Sequence, residues 1–351
     1  MRKIQKGSSG KKDIFMGIDT HELTYSVSLF FEGEEIHNST YPSDVRHLKK
    51  LLERYEKFTV HAVYEAGPFG YTLHDWLKKQ GVKVIVTPPS KMPVAVGDFV
   101  KTDKRDARHL AHLLSSGLLK SVPVPDKRKR EDRDLLRTRD QLVNQRKRIF
   151  LQIQSKLRFH GIPIRNRLLI SRKNREMILE YPDMGLSLRE AFRLLLDSYD
   201  YYTENLKRVR KAVLELSEDK AYRDGVAILK GIPGIGLLTA LSFLLELPDM
   251  RSFDSNEKVG SYLGLTCSEY SSGEKQHQGR ITRCGNARVR GLLVQCSWKT
   301  IAGDEAMKRF YERLKRRRGG KRAIVAVARK LSGRMRTVLM KNEPYQVGLV
   351  Q

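Results

Sequence analysis

The chain has 351 residues, enough for two or three domains, and its hydrophobic fraction of 40% argues against wholesale disorder. Its 67 lysine and arginine residues outnumber 40 aspartate and glutamate residues, giving a net charge of +27. The favoured partner is therefore a polyanion, with nucleic acid ahead of an anionic membrane surface. No apolar run approaches the roughly 20 residues needed to span a bilayer, so no membrane-spanning segment is predicted.

The amino-terminal residues and the cysteines indicate a cytoplasmic protein. Residues 1–12 are polar and basic, lack the apolar segment of a signal peptide, and are predicted to form a flexible arm. Cys267, Cys284 and Cys296 are odd in number and show no Cys-x-x-Cys spacing, so neither a zinc site nor a disulfide framework is predicted. A reducing cytoplasm is the expected location.

Residues 13–89 have the periodicity of an α/β domain. A meander of three short strands comes first, and helix then alternates with strand, which is the order of a ribonuclease-H-like sheet. The predicted strands are residues 14–18, 25–30, 35–41, 59–64 and 83–87, and the predicted helices are residues 45–55 and 71–79.

Four acidic residues of this domain lie at the ends of predicted strands or at the start of a predicted helix. Asp19 ends the first strand and Glu65 ends the fourth, each beside a chain reversal. If these strands are neighbours, both carboxylates project from the same edge of the sheet. Asp103 and Asp106 lie three residues apart at the start of a helix that ends near Gly117, so they share one helix face. That helix is expected to pack across the sheet.

These four acids have a structural and a functional interpretation. A strand-end acid alone is typical of turn capping, and Asp103 with Asp106 alone is typical of an acidic step in a solvated basic helix. Four carboxylates that converge from three segments instead form a site for one or two divalent cations, with oxygen ligands suited to Mg²⁺ or Mn²⁺. Because such cations stabilise the oxygens of a phosphoryl-transfer step, the set predicts a catalytic metal site.

The chain becomes basic and helical after Gly117. Residues 121–125 predict a stiff extended link, and helical stretches at residues 130–159 and 186–216 flank an interruption at residues 161–164. An antiparallel helical hairpin or a coiled coil for self-association is expected. The basic outer face of these helices is either solvated or in contact with phosphates.

Residues 229–240 have the pattern of a helix-hairpin-helix. Gly234 and Gly236 permit a tight turn that leaves backbone N–H groups at the start of the second helix free for a phosphate. A plain helical turn can use the same Gly-x-Gly sequence, and that alternative stays open.

The remaining residues predict helices joined by polar segments. Helices are expected near residues 255–262, 288–300 and 323–340, with a loop at residues 264–286. The Ser271-Ser272-Gly273 sequence in that loop is either a simple turn or a display of reactive hydroxyl groups. Residues 315–322 predict a basic turn that either is solvated or contacts phosphate through Arg316, Arg317, Arg318, Lys321 and Arg322.

The order of these motifs resembles that of the DEDD transposases of bacterial insertion sequences, the insertion-sequence 110 group. The acidic motifs are Gly17-Ile-Asp19-Thr, Tyr64-Glu65-Ala-Gly67 and Lys101-Thr-Asp103-Lys-Arg-Asp106. The carboxy-terminal motifs are Gly231-Ile-Pro-Gly-Ile-Gly236, Leu263-Gly-Leu-Thr, Ser271-Ser-Gly273 and Gly279-Arg-Ile-Thr-Arg283, followed by Gly285-Asn286. The resemblance spans about residues 14–330.

The resemblance implies a RuvC-like domain at residues 13–120, a helical coiled-coil connector at residues 121–225 and a small helical transposase domain at residues 226–351. It implies a DNA transposase or recombinase in which Ser272 attacks DNA while the four acids hold Mg²⁺ against the phosphate. Ser271 is the alternative nucleophile. The implied partners are donor and target double-stranded DNA, a non-coding guide RNA and further copies of the chain in a dimer or tetramer. Arg280 and Arg283 are implied to contact nucleic acid.

Two features depart from the family pattern. Cys267 stands where relatives often have proline, and the amino-terminal arm is longer than usual. Two other functions remain as alternatives. A RuvC-like, metal-dependent junction nuclease that uses water needs the four acids but not Ser272, and an inactive nucleic-acid-binding scaffold needs neither.

Overall fold

The computed structural model describes residues 12–89, 92–93, 102–163, 171–182, 184–269 and 278–348. Ser271 and Ser272, and the predicted arm at residues 1–11, lie outside the described residues. The chain divides into two compact units, Met1–Val124 and Pro125–Gln351. The three-part division predicted at residues 120 and 225 stays a prediction.

The first unit is a five-stranded sheet with helices on both faces. The strand order is β3-β2-β1-β4-β5, with β1 antiparallel to β2, β2 antiparallel to β3, and β1, β4 and β5 mutually parallel. The predicted meander followed by alternating helix and strand is confirmed. The elements are β1 Asp13–Thr20, β2 Thr24–Phe31, β3 Glu34–Pro42, α1 Val45–Arg54, β4 Thr59–Glu65, α2 Thr72–Lys79, β5 Lys83–Thr87 and α3 Asp103–Ser115.

Alternation along β1 divides its side chains between two cores. Met16 and Ile18 are fully buried in a cluster that includes Leu48 of α1 and Leu77 of α2. Because successive side chains of a strand point to opposite faces, the residues between them face the other side of the sheet. That side is covered by α3, whose Leu110 packs against Val63 of β4 in a second, smaller cluster of buried side chains.

Gly17 is the point at which α3 rests on β1. A Cβ atom at this position would overlap the carbonyl oxygen of Ala107 and the amide nitrogen of Ala111, both backbone atoms of α3. Only a residue without a side chain permits this approach. Gly17 therefore fixes the distance between the helix that begins with Asp103 and the strand that carries Asp19.

The predicted extended link does not run free of the sheet. The amide of Val122 donates to the carbonyl of Val86 over 2.7 Å, and the hydroxyl of Thr87 donates to the carbonyl of Lys120 over 3.1 Å. The segment therefore lies along β5 and satisfies its open edge.

The second unit is mostly helical. Its first two long helices pack antiparallel, since Leu136 of α4 shares a cluster with Val213 of α6, whereas Ile153 of α4 shares another with Phe192 of α6. The predicted helical hairpin is thus confirmed. The elements are α4 Lys127–Phe159, α5 Arg172–Leu179, α6 Leu186–Ser217, α7 Arg223–Lys230, α8 Leu237–Glu246, α9 Asn256–Tyr262, β6 Cys267–Glu269, β7 Gln278–Ile281, α10 Ala287–Gly303, α11 Glu305–Arg318 and α12 Gly320–Lys341.

Two local predictions in the second unit are wrong. Residues 264–286 are not simply loop, because β6 and β7 pair as an antiparallel hairpin within them. Residues 315–322 do not form a basic turn, because α11 continues to Arg318 and α12 begins at Gly320. The single residue between these helices is Gly319, with φ of 78°. The cations at the end of α11 complement the negative end of its helix dipole.

No helix in the described part of the chain combines the length and apolar character needed to cross a membrane.

Substitution of Gly17 tests the contact between α3 and β1. We expect Gly17→Ala to destabilise the first unit by about 3 kcal/mol, because the new methyl group overlaps the backbone of α3 at Ala107 and Ala111 and the helix must move away. Gly67→Ala is the matched control, since the nearest atom to its added Cβ is 3.9 Å away. Urea unfolding of the full chain checks both variants, and equal stability for the two would contradict the close contact.

Candidate active site

Asp19 and Glu65 lie at the same edge and on the same face of the sheet. The register pairs Ile18 of β1 with Tyr64 of the parallel strand β4, so the two acids come next on neighbouring strands. Asp19 is two residues after Gly17 on β1, so its side chain is on the face of the sheet that α3 covers. Glu65 is two residues after Val63, which packs against α3, so its side chain is on that face too. The predicted convergence of these strand ends is present in the sheet.

Asp103 and Asp106 occupy the first turn of α3. The hydroxyl of Thr102 caps this helix by accepting from the amide of Arg105 over 3.4 Å. Negative side chains are favoured at this end of a helix, because the free N–H groups give it a partial positive charge. The helix therefore tolerates two acids that repel each other.

Polar contacts to β3 hold the start of α3 in place. Arg108 of α3 forms an ion pair with Glu35 of β3, and the Asn38 side chain donates to the carbonyl of Lys104 over 3.3 Å. Burial raises the pKa of Glu35, but hydrogen bonds from Arg108, Ser28 and Asn38 outweigh it and leave the pKa below its usual range. Glu35 is thus charged when α3 is seated.

His21 joins the acids. Its Nε2 atom lies 3.2 Å from Oδ2 of Asp19 and 3.4 Å from Oδ1 of Asp103. One ligand atom from each of these three residues falls within 4.8 Å of the other two. The imidazole nitrogen therefore lies between two carboxylates that come from different segments of the chain. The sequence analysis did not single out His21; its only local signal is the position two residues after Asp19.

The electrostatics of Asp19 fit a cation site. Burial raises the pKa of this carboxyl, His21 lowers it in part, and the negative charges of Asp106 and Asp103 raise it again, so the net pKa lies above the usual value. A divalent cation would relieve this repulsion, and carboxylate oxygens are suitable ligands for Mg²⁺ or Mn²⁺. The residues present therefore fit a divalent metal ion.

Ser271 and Ser272 lie in the sequence between β6 and β7. The described residues on the two outer sides of this hairpin are hydrogen-bonded to each other. The amide of Thr282 donates to the carbonyl of Thr266 over 2.8 Å, and the amide of Arg283 donates to that of Gly264 over 3.3 Å. Gly285, with φ of 112°, lies so close to the carbonyl of Tyr262 that a Cβ atom would overlap it. The described residues on either side of the serine segment, residues 270–277, thus hold one another in place through residues 262–266 and 282–285.

Glu246 holds Asn286, which follows β7 and precedes α10. This last residue of α8 is only 3% exposed, and its carboxylate accepts two hydrogen bonds from Arg137 of α4, at 3.0 and 2.9 Å. It also accepts from Asn286 over 3.0 Å, and Asn286 in turn caps α10 by accepting from the amide of Val289. Burial raises the pKa of Glu246, yet Arg137 outweighs it and the pKa is lowered.

The predicted phosphate-contacting residues lie in different settings. Gly234, with φ of 89°, is packed against the backbone of α10 at Cys296 and Thr300, whereas Gly236 is exposed and precedes α8 without a side-chain cap. Arg280 and Arg283 are exposed beside the serine segment. Exposed cations also surround the junction of α11 and α12, namely Arg316, Arg317, Arg318, Lys321 and Arg322.

Two family models match this chain. A DEDD transposase model of the IS110 type, described as a transposase, matches residues 16–162, and a model described as transposase of the IS116/IS110/IS902 family matches residues 226–312. The chain belongs to the IS116/IS110/IS902 family of transposases. Transposases cut and join DNA, so the protein is an enzyme and DNA is its substrate.

Individual relatives cover most of the chain. A putative transposase of Sinorhizobium fredii is 30% identical over 82% of this chain and 72% of its own length. The transposase for insertion sequence element IS1533 of Leptospira borgpetersenii is 28% identical over 97% of this chain and 100% of its own length. The pilin gene-inverting protein of Moraxella lacunata is 24% identical over 94% of this chain and 97% of its own length.

Substitution of Asp19 separates metal binding from folding. In metal-free protein at neutral pH, we expect Asp19→Asn to unfold at the same temperature as the parent or higher, because the raised pKa means that ionisation of Asp19 costs stability in the folded state. Mg²⁺ or Mn²⁺ at ten times its dissociation constant should raise the unfolding temperature of the first unit in the parent by roughly 3–8 °C.

That metal-induced increase should be lost in Asp19→Asn and kept in Glu53→Gln, a control on the exposed face of α1. Differential scanning calorimetry with and without a chelator provides the measurement. An equal increase in the parent and in Asp19→Asn would show that the cation binds elsewhere.

Substitution of Glu246 tests the anchor of the serine segment. We expect Glu246→Gln to destabilise the second unit by about 2–3 kcal/mol at pH 7, since hydrogen bonds to a charged, buried group are lost. Because the pKa of Glu246 is lowered in the fold, its stabilisation is present above the ordinary glutamate pKa of about 4.3 and disappears as pH falls through the folded value.

The difference between parent and Glu246→Gln should therefore shrink in acid. Urea unfolding between pH 3 and pH 7 measures it, and hydrogen exchange at residues 286–290 locates it. Glu215→Gln on α6 is the control, because its partner Lys211 is exposed and 3.9 Å away. A pH-independent difference would contradict the charged anchor.

Proposed function

We propose that this protein is an insertion-sequence recombinase that cuts and exchanges DNA strands through a covalent phosphoserine intermediate. The acids Asp19, Glu65, Asp103 and Asp106 are its metal ligands in a RuvC-like domain, and Ser272 is its nucleophile. The observation that carries the proposal is the approach of Asp103 to His21 and Asp19 at one edge of the sheet, in a chain of the IS116/IS110/IS902 family.

The chemistry assigns each group a separate task. The serine oxygen forms a bond to the scissile phosphorus and loses its proton to solvent, while the bond from phosphorus to a deoxyribose oxygen breaks and that oxygen takes up a proton from solvent to leave as a hydroxyl. A divalent cation, Mg²⁺ or Mn²⁺, held by the four acids would neutralise negative charge on the phosphate oxygens. Because the phosphodiester becomes a phosphoserine ester, its bond energy is retained, and a deoxyribose hydroxyl can later attack to rejoin a strand.

His21 is placed to orient Asp19 and Asp103. Its Nε2 atom lies at similar distances from one oxygen of each carboxylate. We assign it a positioning role at the metal site.

Recognition of DNA in this proposal depends on backbone contacts and on a guide RNA. The net charge of +27 and the exposed arginines beside the serine segment and around Gly319 suit phosphate contacts. Base pairing with a non-coding RNA would then select donor and target sequences. The α4–α6 hairpin serves as a coiled-coil connector for a dimer or tetramer, the α7–α8 turn serves as a helix-hairpin-helix, and the assembly works at the bacterial nucleoid.

A junction-resolving nuclease is the second candidate. One observation favours it: the acidic cluster is built within the first unit and needs no serine to direct a water molecule at a phosphate. The two candidates differ in whether DNA becomes covalently attached to protein.

A pair of neighbouring serine variants tests the nucleophile. We expect Ser272→Ala to abolish the covalent protein–DNA adduct and strand exchange, because no hydroxyl remains to attack, and Ser271→Ala to retain both. The assay incubates the protein, with the RNA that co-purifies, with labelled donor DNA and Mg²⁺, and detects adducts on a denaturing gel.

The reverse result would assign Ser271, and an adduct in the doubly substituted protein would rule out both serines. DNA cleavage without an adduct in the parent would favour the nuclease. Asp103→Asn should abolish adduct and cleavage alike under either candidate.

A further inference from the structure

A cavity of about 610 Å³ opens between α4, α6 and the start of α8, entirely within the second unit. Four cationic side chains line it, Arg139 and Arg146 from α4 and Lys207 and Arg210 from α6. Among the described residues that line the cavity, none is acidic. A cavity of this size and charge suits a small anionic group better than an apolar side chain.

The positions of these cations are unusual for a helical hairpin. Arg139 and Arg146 are seven residues apart, so they occupy the same stripe of α4, and that stripe faces α6 across the cavity. Both side chains are half-buried, so their charged ends lose part of their hydration, whereas Lys207 and Arg210 of α6 are exposed at the mouth of the cavity. A bound anion would compensate the hydration that the stripe on α4 loses.

The charges of this stripe are only partly neutralised by the protein. Arg139 pairs with Asp140 at 2.9 Å, and Lys207 pairs with Glu204 at 2.9 Å on the exposed side of α6. Arg146 stacks on the ring of Tyr199, 5.8 Å from its centroid. In the described parts of the chain, neither Arg146 nor Arg210 has a carboxylate within ion-pair distance.

The rest of the cavity wall is apolar. Val143 of α4 and Leu206 and Leu214 of α6 lie among the cations, and Leu237 and Leu238 come from the first turn of α8. Gly236 precedes that turn and offers no side chain to its free amides. The cavity thus combines cations and a helix start with apolar side chains, and a nucleotide needs both, because its phosphate is anionic and its base has an apolar face.

We propose that this cavity binds one unstacked nucleotide of a single-stranded nucleic acid segment. Its phosphate lies among Arg146, Arg210 and the first amides of α8, and its base lies against the leucine wall. A duplex presents its phosphates on a convex surface and keeps its bases stacked, so it cannot enter. The inference rests on the proposed function for its nucleic-acid partner, and it adds a discrimination between single-stranded and duplex segments.

The test compares single-stranded and duplex binding by fluorescence anisotropy of a labelled 12-nucleotide strand, alone or paired. Arg210→Ala should weaken binding of the single strand at least about fivefold, while its neighbour Arg208→Ala, on the same helix but outside the cavity, should weaken it less than about twofold. Equal effects of the two variants would overturn the proposal in favour of a general basic surface.

Filling the cavity without changing charge is the sharper experiment. Leu214 is 47% exposed, so Leu214→Trp should fold, and it should weaken single-strand binding at least about fivefold while duplex binding changes less than about twofold. Val143→Trp should give the same result from the opposite wall. Thermal unfolding shows whether each variant is folded. Unchanged single-strand affinity in a folded variant would contradict the proposed nucleotide site.

Other results are equally decisive. A change in subunit number by light scattering, with unchanged single-strand affinity, would show that a second copy of the chain covers the cavity. If the parent binds duplex DNA but not the single strand, the nucleotide site is wrong while the proposed recombinase stands. The covalent adduct lost in Ser272→Ala and the single-strand affinity lost in Arg210→Ala are separate measurements, so failure of the serine chemistry is distinguishable from failure of this site.

Discussion

The close contact between α3 and β1 at Gly17 is the constraint on which the acidic site depends. Backbone meets backbone there, so the helix cannot slide or rise without losing the contact. The pairing of Arg108 with Glu35 and the hydrogen bond from Asn38 to Lys104 fix the remaining freedom of the helix start. Asp103 is thereby brought to His21 and Asp19, although more than eighty positions separate Asp19 and Asp103 in the sequence.

A similar principle governs the serine segment. Its own residues, 270–277, are mostly polar, and the described residues beside it are held by Glu246, Asn286 and Gly285. A buried carboxylate held by Arg137 links α4 to the start of α10. In both units, therefore, a close backbone contact at a glycine and an ion pair of a carboxylate with an arginine hold neighbouring elements together. In the acidic site, the pKa of Asp19 is raised because burial and the neighbouring carboxylates make ionisation of this group unfavourable in the fold.

Sequence reasoning succeeded where periodicity was strong and failed where contacts between distant residues decided the structure. The strands of the sheet and the long helices α4 and α6 followed from alternation and helical spacing. The hairpin of β6 and β7 did not, because its strands are short and polar and lack an alternating apolar pattern. Residues 315–322 were predicted to form a basic turn, whereas only Gly319 separates the two helices α11 and α12. His21 carried only the signal of its position two residues after Asp19, and Glu246 carried none.

The sequence by itself determined the family, the order of strands and helices, the excess of positive charge and the identity of the acids, because these depend on residue type and near-neighbour spacing. The tertiary structure decided which acids meet, since Asp19, His21 and Asp103 approach one another only after α3 packs on Gly17. It also decided that the cations of α4 and α6 enclose a cavity, because two helices far apart in sequence must pair before their stripes can face each other. Distances between remote segments are set by packing, which residue spacing does not encode.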